Sequence, residues 1–199
     1  MLLLLLALHA TSAHSASKTV LVLGDSLSAE YGLPRATGWV TLLEQRLKAE
    51  KIDAAVVNAS ISGETTSGGL ARLPALLQQH KPDIVLIELG ANDALRGLPV
   101  DTTEANLQTL ISMSQKAKAK TLLLGMQIPP NYGRDYATRF FGIYAKLARQ
   151  TRSALVPFFL EGIADQPQLF QADRLHPTSE AQPTLLNNVW PQLKPLLLK

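Results

Sequence analysis

Ser26, within Gly24-Asp25-Ser26-Leu27-Ser28, carries a hydroxyl that attacks a carbonyl only once a base has taken its proton. Four histidines are present in the chain, and two of them, His9 and His14, fall in an apolar leader. Of the others, His80 stands in Leu77-Gln-Gln-His-Lys-Pro-Asp83, at the end of a helical pattern about to enter an apolar run. His176 stands in Asp173-Arg-Leu-His-Pro177. A turn of that length lets Asp173 accept from the imidazole Nδ1–H and leaves Nε2 facing a serine. The tetrahedral oxyanion of acyl transfer also needs donors aimed at it in advance. The backbone N–H groups of Ser26 and Gly63 and the side-chain amide of Asn92, in Gly90-Ala-Asn-Asp93, are the candidates. The chemistry implied is serine acyl transfer, with Ser26 as nucleophile, His176 as base and Asp173 as its orienting acid. It calls for no metal and no cofactor. Each block alone is ordinary, since Gly-Asp-Ser and Asn-Asp commonly cap a helix, so the reading depends on whether the fold brings them together.

Short apolar runs at residues 19–23, 54–58, 84–89, 121–125 and 154–158 read as five strands buried on both faces. Between them Val40, Leu43 and Leu47 share a helical face, as do Leu70, Leu73 and Leu77. Leu107, Leu110 and Ile111 do so behind an Asp101-x-x-Glu104 capping pattern, and Leu186, Val189, Trp190, Leu193 and Leu197 mark a last helix. Pro74 predicts a kink or restart in its helix. Strands alternating with helices imply right-handed crossovers and a parallel sheet covered on both sides. The expected fold is therefore a three-layer α/β/α sandwich, flavodoxin-like, with a five-stranded sheet. Ligands bind such sheets beyond the carboxyl ends of the strands. The Ser26, Gly63 and Asn92 blocks follow the first three strands. His176 lies in the loop before the last helix, whereas His80 belongs to the opposite edge.

The chain has 199 residues, enough for one domain with a full core. Its net charge of +3 comes from basic residues scattered through the helices, so nothing points to nucleic acid. Hydrophobic residues at 46% and charged residues at 18% exclude a disordered polymer. The run Met1-Leu-Leu-Leu-Leu-Leu-Ala-Leu8, followed by small polar residues to Ser17, has the layout of a secretory signal, although the first cation is Lys18. It is too short to span a bilayer. Residues 1–16 are thus expected to be a signal peptide and residues 17–199 a single domain, exported to the periplasm or secreted, monomeric and without stable membrane insertion.

The blocks Gly24-Asp-Ser-Leu-Ser28, Gly63, Gly90-Ala-Asn-Asp93 and Asp173-Arg-Leu-His176, in that order, resemble the SGNH or GDSL-like hydrolases. Val57-Asn-Ala-Ser-Ile-Ser-Gly63, Gly69-Leu-Ala-Arg-Leu-Pro-Ala-Leu-Leu77 and Pro130-Asn-Tyr-Gly133 are similar to the bacterial members that act as thioesterases, lysophospholipases and arylesterases. The resemblance implies Ser26 as nucleophile, Gly63 and Asn92 as oxyanion donors, and the loop Ala94-Leu-Arg-Gly-Leu-Pro99 as a mobile wall of an acyl crevice. The chain departs from the pattern at Ala91 and at Arg174-Leu175, where Arg174 adds bulk and charge between Asp173 and His176 and is expected to be a solvated loop residue rather than part of the pocket rim. Leu95, Leu98, Met126, Ile128 and Pro129 are the candidate acyl-binding side chains, with core packing the stronger expectation for Met126 and Ile128. Asp25 and Glu64 are read as fixing their turns and take no chemical step. The substrate would be a small acyl ester or thioester. A carbohydrate O-deacetylase on the same three residues would want an aromatic, polar entrance, which few of these loops supply. A ligand-binding protein of flavodoxin-like fold would need no such set of groups.

Overall fold

The run Val20-Leu21-Val22-Leu23 can be buried on both faces only inside a sheet covered by helices, and all four side chains are fully buried. The computed structural model describes residues 17–198, so the expected leader of residues 1–16, with His9 and His14, lies outside the described residues. Strands β1 (Lys18–Gly24), β2 (Ala54–Asn58), β3 (Ile84–Glu88), β4 (Lys120–Leu124) and β5 (Ala154–Val156) form one parallel sheet in the order β2-β1-β3-β4-β5. The register sets Val20 beside Ile84 and Gly24 beside Glu88, so β1 and β3 end level at their carboxyl edge. Between these two strands the order reverses, which is where such sheets open a crevice for ligands.

Six helices cover the sheet: α1 (Trp39–Ala49), α2 (Thr66–His80), α3 (Ala91–Leu95), α4 (Val100–Lys116), α5 (Arg134–Thr151) and α6 (Gln182–Leu198). Of these, α2, α4 and α5 pack side by side, while α1 packs with α6, giving the two outer layers. Leu43 and Leu47 of α1, Leu73 of α2, Leu107 and Leu110 of α4, and Val189 and Leu193 of α6 are buried as their spacing predicts.

Four details differ from expectation. The outer strand β2 is only partly buried, because an edge strand has one neighbour and one open flank. β5 stops at Val156, since Pro157 has no N–H for a ladder bond. Pro74 neither breaks nor restarts α2; it sits on the exposed side, where the carbonyl it leaves unpaired can face water. The capping pattern at Asp101 is not used: α4 begins at Val100 with Pro99 as its N-cap, two residues before the expected cap. Asp101 instead pairs with Arg139 at 2.7 Å and Glu104 with Lys146 at 2.6 Å, both tying α4 to α5.

Candidate active site

At the carboxyl edge of the sheet, the loop after β1 places Ser26 against a residue 150 positions away, with Ser26 Oγ 2.9 Å from His176 Nε2. On the far side of the ring, His176 Nδ1 lies 2.7 Å from Asp173 Oδ2. Asp173 cannot rotate freely, because its Oδ1 accepts the backbone N–H groups of Leu175 at 2.9 Å and His176 at 3.0 Å. Those two bonds, ahead of the imidazole, hold its carboxyl down at about 2, so it is ionised at any ordinary working pH. The loop carrying them is anchored by Gln171, whose N–H donates to the His176 carbonyl at 2.7 Å and whose amide donates to Tyr31 O at 2.9 Å. Tyr31 then covers the imidazole, ring centroids 4.4 Å apart. His80 closes α2 at the opposite edge, as expected.

The three candidate oxyanion donors come from three loops. Among the described residues, the backbone N–H groups of Ser26 and Gly63 have no acceptor, which leaves both available to a ligand. Gly63 adopts φ +77°, a left-handed conformation that a side chain would disfavour, and its carbonyl is tied to Arg96 at 2.8 Å. Asn92 lies in the single turn of α3, whose N-cap Gly90 has φ +117°. Its Nδ2 donates to Asp25 Oδ2 at 2.9 Å and to the Glu64 carbonyl at 3.0 Å. Around these donors the loops are cross-braced. Asp93 accepts Thr66 N–H at 2.9 Å and so ties α3 to the start of α2, while Arg72 donates to Glu64 Oε2 at 2.7 Å. Asn58 donates to the Ser28 carbonyl at 2.8 Å, locking the first two loops together.

Ser26 and His176 open on a cavity of about 460 Å³. Leu95, Met126, Ile128 and Pro129 line it, together with Leu27, Phe158, Leu160, Ala164, Phe170 and Leu175. Leu98 does not; it is 37% exposed, and its carbonyl accepts the Tyr136 hydroxyl at 2.6 Å. The phenylalanines also correct the expectation that aromatics are scarce here, although neither has a polar tip with which to hold a sugar. Their loops carry no periodic pattern, and only nearness to the Asp173 block could have pointed to Phe170. Arg174 lines the outer cavity with φ +58°, a left-handed backbone that also turns the chain between Asp173 and His176.

Asp25, beside the nucleophile, is buried to 1% exposure. Burial pushes its carboxyl up to about 6, against the pull of the Leu27 N–H and other donors. Glu88, at the end of β3, is completely buried and is driven well above the usual carboxylate range by that burial and by the neighbouring Asp25 charge. No spacing in the sequence marks Glu88, which reads there as a strand end.

A hydroxyl with a base 2.9 Å away, unspent N–H groups nearby and an apolar slot can carry out acyl transfer. Comparison with known proteins agrees in kind. The sequence profile of the GDSL-like lipase/acylhydrolase family matches residues 22–182. Esterase TesA of Pseudomonas aeruginosa is 53% identical over 192 residues, covering 96% of each chain. Thioesterase 1/protease 1/lysophospholipase L1 of Escherichia coli is 45% identical over 183 residues, covering 92% of this chain and 86% of that one. Among solved structures, the esterase EstA of Pseudoalteromonas sp., inhibited by monoethylphosphonate, superposes with a TM-score of 0.87 at 46% identity, covering 92% of this chain and all of its own (100%). A profile match that runs from β1 to the start of α6, with relatives this similar along nearly their whole length, makes the chain a member of the GDSL-like lipase/acylhydrolase family.

Proposed function

We propose that this protein is a serine esterase that hydrolyses carboxylic esters and thioesters through an acyl-enzyme on Ser26. One observation carries the reading: the unbroken line from Asp173 through His176 to Ser26, 2.7 and 2.9 Å, ends at the mouth of an apolar cavity. His176 Nε2 takes the hydroxyl proton as Ser26 Oγ bonds to the carbonyl carbon. The oxyanion is received by the N–H groups of Ser26 and Gly63 and by the Asn92 amide. Collapse breaks the bond to the alcohol or thiol, which leaves with the proton from His176. Water, deprotonated by the same imidazole, then releases the acid. The acyl chain lies in the slot made by Leu95, Met126, Ile128, Pro129, Phe158 and Leu160. Aryl esters, acyl thioesters and lysophospholipids share the acyl-carbonyl chemistry this requires. The enzyme works as an exported monomer, in the periplasm or outside the cell, once the leader of residues 1–16 has been removed. The apolar run at its start supports that placement, and among the described residues no helix is long and apolar enough to cross a membrane.

The test is stoichiometric labelling by a monoethyl 4-nitrophenyl phosphonate, read by intact-mass spectrometry, alongside hydrolysis of 4-nitrophenyl esters from acetate to palmitate. A single adduct on Ser26 with turnover is expected; absence of both would return the protein to the ligand-binding class. Ala164→Phe, which adds a ring to the outer cavity wall without touching the core, is expected to lower kcat/KM for decanoate by about tenfold relative to acetate. Equal loss for both esters would place the acyl chain elsewhere.

A further inference from the structure

Glu88 is a buried acid with no role in the chemistry above, and its hydrogen bonds do not balance for a carboxylate. Its Oε2 accepts the Asp25 N–H at 3.1 Å and the Ser28 hydroxyl at 2.8 Å. Ser28 Oγ in turn accepts from Trp39 Nε1 at 3.2 Å, which fixes the direction of its proton. The other oxygen, Oε1, is buried and receives no hydrogen bond from any of the described residues. A carboxylate oxygen stripped of water and without a donor is strongly disfavoured, and here a second carboxyl, that of Asp25, is in hydrogen-bond contact. One proton resolves both problems, because a protonated Glu88 becomes a donor with an acceptor beside it.

Asp25 is also where Asn92 is held. Both hydrogens of the Asn92 amide are committed, one to Asp25 Oδ2 and one to the Glu64 carbonyl. To meet an oxyanion the amide must loosen one of them. A full charge on Asp25 with no other side-chain donor would grip the amide, whereas a Glu88 hydroxyl shares that charge and weakens the grip. Resting on the ester-hydrolase reading above, we infer that Glu88 is a positioning residue that stays protonated in the folded enzyme and, through its hydrogen bond to Asp25, sets the aim of the Asn92 amide. The other titratable groups that face this pair are His176 and Tyr144, with Asp93 beyond Tyr144. Tyr144 is itself committed, donating to the Leu89 carbonyl at 3.0 Å.

The experiment has two arms. Infrared difference spectroscopy of the whole protein at pH 8 is expected to show the carbonyl band of a buried carboxylic acid, absent from Glu88→Gln. In kinetics, Glu88→Gln keeps a neutral donor toward Asp25 and should hold kcat within about threefold. Glu88→Met removes it and should lower kcat by about tenfold to a hundredfold with KM nearly unchanged, as expected when a transition-state donor is misaimed. Lack of the band, a Gln variant as impaired as the Met variant, or a fully active Met variant would each overturn the inference. Should the Met variant fail to fold, the band and the Gln variant still decide. If the wild-type protein turned over no ester at all, the functional reading would fall while the band continued to report on Glu88.

Discussion

Ser26→Ala and His176→Ala should each lower kcat for 4-nitrophenyl butyrate by about 10⁴- to 10⁶-fold, and the double variant should be hardly worse than either single one. The non-additivity follows from the geometry. The hydroxyl is useless without the base 2.9 Å away, and without the serine no acyl-enzyme forms for the base to send water against, so the two act as one device. What remains is the contribution of binding and of the oxyanion donors alone. Both side chains lie at the mouth of the cavity rather than in the core, so the variants should keep the wild-type unfolding transition. His80→Ala, at the other edge of the sheet, should be fully active. Stopped assays with active-site titration by the phosphonate would separate residual turnover from contamination. A Ser26→Ala protein that retains more than a few per cent of activity would remove Ser26 as the nucleophile.

Asp173→Asn is expected to cost about 10⁴-fold in kcat, although the side chain is isosteric. Oδ1 of Asp173 must remain an acceptor, because it faces the N–H groups of Leu175 and His176. The amide nitrogen of the variant therefore takes the place of Oδ2 and points its hydrogen at His176 Nδ1. That forces the ring proton onto Nε2, where it faces Ser26 and can no longer accept. Asp173→Ala, which imposes no tautomer, should be less impaired than Asp173→Asn. A comparison of kcat between the two variants checks this, and an Asn variant within tenfold of wild type would show that Asp173 does not orient the ring. Since the carboxyl is held at about 2, any loss of activity on mild acidification must arise from another group.

Much of this architecture is written in the chain. Five apolar runs and the leucine spacing of Val40, Leu43 and Leu47 specify the layers, because burial on one stripe or two faces leaves a periodic trace. Ser26, Asn92 and His176 could be grouped because each follows a strand or precedes the last helix, and the edge rule for parallel sheets does the rest. Helix α5 carries the same trace, burying Phe140, Ile143, Tyr144 and Leu147 at helical spacing with aromatic residues in place of leucine. Other parts leave no such trace. Phe158, Leu160 and Phe170 meet only because two loops cross, and Tyr31 reaches His176 from a stretch with no periodicity at all. Glu88 is the sharpest case. In sequence it ends a strand, and only its complete burial and the lack of a donor at Oε1 among the described residues show that it differs from a surface glutamate. The Asp101 capping pattern misled in the other direction: the helix starts ahead of it at Pro99, leaving Asp101 in the first turn, where it pairs with Arg139.

The 150-residue separation between Ser26 and His176 has a consequence for how the enzyme comes into being. The strands β1 to β4 and the Ser26, Gly63 and Asn92 loops can assemble from the first two-thirds of the chain, whereas His176 arrives only with the segment that leads into α6. That helix docks on α1, where Arg46 stacks over Trp190 at 4.5 Å and Lys194 pairs with Glu50 at 2.7 Å. Closing so long a loop is entropically the slowest kind of contact to make. During synthesis the nucleophile therefore emerges before its base, and in refolding the same order is the expected result. The regain of phosphonate reactivity is then a clock for the docking of α6, and it should lag the recovery of helical circular dichroism.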